Sequence, residues 1–219
     1  MRALVTGGVG RIGEAIVRRL EREGWSVFAA GRADGDVSRP GEARALVERA
    51  AEELGGLDLL VNAAGEGFAP KPFDELDEAD WDAAFGATAK GSFFVTQAAA
   101  PALREAGGCV VMIEDVAAYQ PWPSFAAHSA AKAAQAMLTR VLARALAPEV
   151  RVCGVAPGPV AIERGQEERR AAETLLGRVG SPDDIADAVV YLAGASFVTG
   201  TTLVVDGGRS LKSGAALSP

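Results

Sequence analysis

The stretch ALVTGGVGRIG at positions 3–13 constrains this chain more than any other. Ala3, Leu4 and Val5 form a short apolar run that reads as a buried strand. A glycine cluster follows, and then Ile12, Ala15, Ile16, Val17 and Leu20 recur at helical spacing. Gly8, Gly10 and Gly13 fit the pattern G-x-G-x-x-G. The same glycines would serve a tight turn in any α/β protein. The strand before them and the helix after them favour a dinucleotide pyrophosphate site instead. There the glycines let the backbone approach the phosphates, and the helix start offers free N–H groups and a partial positive charge.

Further along, strand candidates alternate with helical patterns. Strands are expected over 25–30 (WSVFAA), 57–62, 109–113, 151–155 and 202–205. Helices are expected over 41–54 behind Pro40, over 77–106 as one long or two abutting pieces, over 125–146, and from Ser181 to about residue 192. This alternation predicts an α/β fold, a doubly wound parallel sheet with helices on both faces. A polar stretch over 161–177 reads as a mobile helix pair covering the site. Residues 1–210 are expected to form one domain that includes the substrate site, with 211–219 a loose tail.

The bulk properties narrow the function classes. At 219 residues and 49% hydrophobic content the chain can bury a real core. The formal net charge of −7 argues against a nucleic-acid surface. No apolar run approaches the roughly 20 residues of a membrane span. Met1 leads directly into a strand, so no leader peptide is expected. Cys109 and Cys153 each fall in a predicted strand and read as buried, reduced thiols, which suits a cytoplasmic setting. One histidine and no Cys/His cluster leave no metal site.

The end of the second strand bears on the choice of cofactor. An NAD site places an acid there, about 20 residues past the glycines, on the ribose 2′-hydroxyl. Here the strand ends Ala29-Ala30-Gly31-Arg32, without an acid. Arg32, and Arg11 inside the glycine loop, are either solvated charges or placed for a 2′-phosphate; the second reading favours NADP(H). NAD(H) stays possible, because Asp34 lies close enough in sequence to reach the ribose instead.

With these residues assembled, the chain resembles the short-chain dehydrogenase/reductase family over nearly its whole length. The resemblance rests on Thr6-Gly7-Gly8-Val9-Gly10-Arg11-Ile12-Gly13, Asp36-Val37, Asn62-Ala63-Ala64-Gly65, Lys132 beyond Asp115, Pro157-Gly158, and Val204-Val205-Asp206-Gly207-Gly208. It implies a single-domain Rossmann fold, a nicotinamide cofactor, a small-molecule substrate and a homotetramer. It also implies that Asp36 and Val37 cradle the adenine and that Asn62 to Gly65 line the adenosine ribose. Pro157 and Gly158 match the family's PG motif.

Several positions depart from the family pattern. The middle glycine of its TGxxxGxG loop is Arg11, a variant similar to pteridine reductases. The usual Asn aligns with Thr88, and the usual Ser with Asp115, again as in pteridine reductases. The usual Tyr aligns with His128, and the Thr that commonly follows the PG motif with Ile162. The segment between the second strand and Asp36 is short, so the usual second crossover helix is expected to be missing.

His128 and Lys132 stand four residues apart and share a helix face. By resemblance, Asp115, His128 and Lys132 are the catalytic candidates, with Lys132 also holding the nicotinamide ribose. Three readings of His128 stay open. It donates the proton in a carbonyl reduction; or it is a polar wall while another group or water donates; or catalysis is lost and the fold only binds a nucleotide. Tyr119 is either a replacement donor or a loop aromatic. Trp122 and Phe125 either line the substrate pocket or pack in the core. The first two readings of His128 give a carbonyl or pterin-type reductase, similar to pteridine or 3-oxoacyl-carrier-protein reductases. The third gives a catalytically impaired nucleotide-binding or regulatory protein.

Overall fold

A computed structural model describes residues 1–66, 69–160 and 165–212. Six strands form one parallel sheet: β1 (Arg2–Thr6), β2 (Ser26–Ala30), β3 (Leu59–Asn62), β4 (Cys109–Ile113), β5 (Arg151–Pro157) and β6 (Thr202–Val205), in the order β2-β1-β3-β4-β5-β6. The helices are α1 (Arg11–Arg22), α2 (Pro40–Leu54), α3 (Glu78–Phe85), α4 (Ser92–Ala106), α5 (Ala126–Leu146), α6 (Glu167–Ala172) and α7 (Pro182–Gly194).

The strands are apolar on both faces, and their pleat sorts neighbours to opposite sides. Leu4, Leu60, Val110 and Val152 pack with Leu46, Val95, Leu103 and Leu142, and so bury α2, α4 and α5. Ala3, Val5, Val61, Val111 and Val155 pack with Ile16, Leu20, Ile185 and Val189, and so bury α1 and α7. Arg151 donates to the carbonyls of Leu192 and Ala193, which caps the end of α7 and fixes it to the sheet.

From β1 the chain steps outward to β2, then crosses back to β3 on the far side. The strand order therefore reverses between β1 and β3, and a crevice at their carboxyl ends is where such sheets take ligands. The connection from β2 to α2 holds only a 3₁₀ turn at Arg32–Asp34 before Pro40. Only this turn separates β2 from α2, and α2 itself carries the crossover from β2 to β3; β2 is the sheet edge.

The 77–106 region resolves into α3 and α4 joined by a π-helical turn, Gly86–Gly91. Gly91 sits in this turn where a Cβ would crowd Val37. The stretch expected to be a mobile helix pair is different. Its described part, 165–177, holds the single helix α6. Beyond it the Leu175 and Leu176 amides donate to the Gly207 carbonyl at 2.9 and 3.1 Å, and Gly177 turns the chain with φ +66°. Backbone hydrogen bonds to the turn after β6 thus take the place of a second helix. Residues 161–164, with Ile162, and the tail from 213 onward lie outside the described residues.

Candidate active site

The glycine loop joins β1 to α1 at the switch point. Gly7 has φ +67°, and a Cβ there would lie 2.7 Å from the Ala63 carbonyl oxygen. A Cβ on Gly8 would lie 2.9 Å from the Val5 carbonyl, and one on Gly13 would sit on the Gly7 carbonyl oxygen. No side chain caps the start of α1, so its first-turn N–H groups stay available to an anion. Arg11 is exposed at the first helical position, and Ile12 packs toward the α1/α7 core.

Beside the loop, Thr6 Oγ1 donates weakly to the Val61 carbonyl and accepts from the Ala64 amide, both at 3.4 Å. Asn62 is buried and donates to Thr96 Oγ1 at 3.0 Å and Met112 Sδ at 3.4 Å. These two side chains brace the ledge formed by Ala63, Ala64 and Gly65. At the tip of β2, Arg32 pairs with Glu66 at 2.7 Å on the surface. Asp34 accepts from the Gly31 amide at 2.9 Å and from Arg49 at 3.0 Å. Asp36 accepts from the Ser38 amide at 2.9 Å; the Ser38 hydroxyl and amide, with the Arg32 and Arg39 charges, hold its carboxyl below its ordinary value. Val37 is buried against the π turn.

At the carboxyl end of β4, Asp115 Oδ1 accepts from the Ala117 amide at 2.8 Å, and Asp115 Oδ2 lies 3.5 Å from His128 Nε2 on α5. One helical turn on, Lys132 Nζ donates to the Ile113 carbonyl at 2.7 Å and to Gln135 Oε1 at 3.0 Å. Gln135 in turn donates to Ser92 Oγ at 2.8 Å. Burial pushes the Lys132 ammonium down to about 8, against the opposing pull of the Asp115 and Glu114 carboxylates. An ammonium has three donors, and two are used here.

Gly65 brings these parts together. A Cβ there would lie 3.7 Å from Thr88 Oγ1 and 3.9 Å from Lys132 Nζ. The ledge after β3, the π turn and α5 thus meet at one point. The buried hydroxyls of Thr88 and Ser129 and the buried indole N–H of Trp122 have no hydrogen-bond partner among the described residues. Pro157 and Gly158 close the far side, with Gly158 packed on Asp206 and donating to the Val205 carbonyl at 3.0 Å. A cleft of about 350 Å³ opens beyond them, bounded by Val160, Leu175, Leu176 and Gly207.

Sequence reading missed Glu114. Its buried carboxylate accepts from Thr139 Oγ1 at 2.6 Å, Tyr119 Oη at 2.8 Å and Thr202 Oγ1 at 3.0 Å. Gly154 on β5 makes the room, since a Cβ there would strike that carboxylate. A charge directly continuing an apolar strand, with a glycine in the facing strand, was the available signal. Tyr119 is accordingly a loop aromatic whose hydroxyl is committed to Glu114. Replacing Glu114 by Ala leaves the three hydroxyls without their acceptor. It is expected to cost about 3 kcal/mol in urea unfolding, against about 1 kcal/mol for Glu114→Gln.

The family described as Enoyl-(Acyl carrier protein) reductase matches residues 29–210. A 4-formylbenzenesulfonate dehydrogenase of Comamonas testosteroni is 35% identical, over 95% of this chain and 97% of that protein. A 3beta-hydroxysteroid dehydrogenase of Eggerthella lenta is also 35% identical, over 96% of this chain and 94% of its own length. Among solved structures, a 3-ketoacyl-(acyl-carrier-protein) reductase from Brucella melitensis complexed with NADH superposes with a TM-score of 0.90. It is 28% identical and covers 95% of this chain and 98% of its own.

Proposed function

Since the chain belongs to the short-chain dehydrogenase/reductase family, an oxidoreductase family with a nicotinamide-binding fold, we propose that it is an NADP(H)-dependent reductase of a carbonyl or pterin-type small molecule. The observation that carries the reading is the convergence of Lys132 and Thr88 on Gly65 at the carboxyl end of β3, with His128 one helical turn before Lys132 and facing Asp115. The relatives' names span an aromatic aldehyde, a steroid and a ketoacyl thioester; what they share is a carbonyl/alcohol pair.

The residues present fit a dinucleotide. The start of α1 is uncapped, Gly7, Gly8 and Gly13 leave no bulk over the loop, and the Thr88 hydroxyl is buried without a partner among the described residues. Thr6 to Gly13 would hold the pyrophosphate, Asp36 and Val37 the adenine, Asn62 to Gly65 the adenosine ribose, Lys132 the second ribose, and Pro157-Gly158 the nicotinamide edge. When bound, that group supplies the hydride. His128 supplies the proton at Nδ1, while Nε2 faces the Asp115 carboxylate, which turns the imidazole. The third N–H of Lys132 fixes the ribose, and its charge favours the developing alkoxide.

For NADP(H), Arg11 and Arg32 take the 2′-phosphate. The Arg32–Glu66 pair is exposed and exchanges readily for a phosphate, since such pairs contribute about 0–1 kcal/mol. Asp34 is already engaged by Gly31 and Arg49, which disfavours its use on a ribose hydroxyl. Arg11→Ala with Arg32→Ala is expected to raise the NADPH Kd about 10- to 100-fold and to leave NADH within about threefold. Equal wild-type Kd values for NADPH and NADH would contradict this assignment.

We further propose a homotetramer in a cytoplasmic, reducing setting. Met137 and Val141 on α5, Leu203 and Val204 on β6 and Tyr191 on α7 are exposed apolar residues suited to pairing between copies. Light scattering at micromolar concentration should give the mass of four chains; a monomer would end the proposal.

A further inference from the structure

The turn after β6 carries a cation outside the proposed catalytic set. Asp206 builds the turn by accepting from the Gly208 and Ser210 amides at 2.8 and 2.7 Å. Arg209 follows and is buried, with 7% of its surface exposed. Its Nε donates to Glu173 Oε2 at 3.0 Å, and its guanidinium lies over the Trp122 ring, 4.5 Å from the centroid. Among the described residues that is the one hydrogen bond of its five donors.

Its carboxylate partner is shared. Glu173 also meets Arg169 at 3.5 Å and Arg170 at 3.2 Å, so three guanidinium groups share one carboxylate. Arg170 and Arg209 repel each other, while Asp115 attracts Arg209 across the site. Trp122 meets Phe125, the residue at the start of α5, and His128 lies in the first turn of that helix, so Arg209 over the Trp122 ring stands at the same end of α5 as the proposed proton donor. Trp122 adds a buried indole N–H with no acceptor among the described residues, and its ring meets Phe125 edge-on at 5.9 Å. The wall thus offers hydrogen-bond donors in excess of acceptors among the described residues. Stacking holds the guanidinium plane fixed, which pre-organises it for a planar, two-oxygen partner.

We infer that Arg209 and Trp122 recognise a carboxylate on the substrate, so that the protein reduces carbonyl compounds bearing an acid group in preference to neutral ones. The inference rests on the proposed function, in which the carbonyl is reduced beside His128 and Lys132. Arg209 supplies paired N–H donors to the two carboxylate oxygens, and Trp122 Nε1–H supplies another. A neutral ester offers neither the charge nor the matched oxygen pair, and it leaves the guanidinium under-satisfied.

The test compares levulinate, benzoylformate and acetoacetate with their methyl esters, using NADPH. For the acid over the ester, kcat/KM is expected to be about 10- to 100-fold higher, mostly through KM. That ratio should fall to about 1 in Arg209→Gln, and drop about threefold in Trp122→Phe, which keeps the ring and loses the donor. Unchanged NADPH affinity in each variant shows that it is folded. If Arg209→Gln fails that control, Arg209→Lys takes its place, with the ratio reduced but above 1. An acid/ester ratio near 1 in the wild type, or a preference that survives Arg209→Gln, overturns the inference. If no compound turns over, the reductase reading is what has failed, and calorimetric titration of benzoylformate into the protein decides the inference alone. Saturable binding lost in Arg209→Gln supports it, and no saturable binding in the wild type overturns it.

Discussion

Replacing Lys132 by Met is expected to lower kcat/KM about 100- to 1000-fold while leaving the protein folded. The ammonium donates to the Ile113 carbonyl and to Gln135, so the variant leaves two acceptors without it. It also removes a charge whose burial is unfavourable, as the shift of its pKa to about 8 shows. The two effects oppose, and the net change in stability should stay within about 2 kcal/mol. Activity and stability therefore separate, which a merely structural lysine would not produce.

The same shift has a signed consequence for pH. In the free enzyme the charged form of Lys132 predominates below pH about 8. Where that charge is needed, kcat/KM for reduction falls about tenfold per pH unit above that point. Lys132→Arg cannot lose its proton in this range, so its alkaline fall should be shallower than the wild type's by that one ionisation, whatever its residual rate. A Lys132→Met rate within threefold of wild type, or the same alkaline limb in Lys132→Arg, would contradict the assigned role.

Gly13→Ala is expected to be the most damaging single methyl group in the binding half. Its Cβ would sit on the Gly7 carbonyl oxygen and within 2.8 Å of Gly8 Cα, both backbone atoms that have no side-chain freedom to yield. Opening the loop to admit it should cost about 3 kcal/mol and abolish NADPH binding. Gly10→Ala serves as the control. Its Cβ would approach the Gly7 carbonyl oxygen only to 3.3 Å, so about 1 kcal/mol is expected, with binding retained. Urea unfolding and NADPH fluorescence titration read both quantities. Equal effects at the two positions would mean that the close packing of loop on helix is not what shapes the phosphate site.

The parallel sheet and its helices were legible because their signals are local. Each strand is a short apolar run, and Pro40 and Ser181 mark helix starts by the chemistry of one or two residues. The polar framework of the site was not legible, because its partners are scattered. Glu114 gathers hydroxyls from positions 119, 139 and 202 and the gap at Gly154, a set that exists only once β4, β5 and β6 are in register. Arg209 is equally non-local: its partners Glu173 and Trp122 lie on two other loops. The helix pair expected over 161–177 failed for a related reason. Its charged pattern looks helical, but the Gly207 carbonyl takes the amides of Leu175 and Leu176. His128, Lys132 and Asp115 were found by their position relative to a family pattern. Their spacing alone shows a shared helix face, not that Asp115 stands opposite it.

We propose that His128 and Lys132 run a reduction with NADPH at the carboxyl ends of the strands. The most direct measurement is NADPH consumption by the purified protein on a panel of ketones and pterins, with His128→Ala beside the wild type. Saturable turnover on at least one compound is predicted, lowered about 100-fold or more in the variant. Tight NADPH binding with no turnover on any of them would contradict the claim and leave a nucleotide-binding protein on the same scaffold. Turnover that His128→Ala leaves unchanged would contradict it at His128 alone.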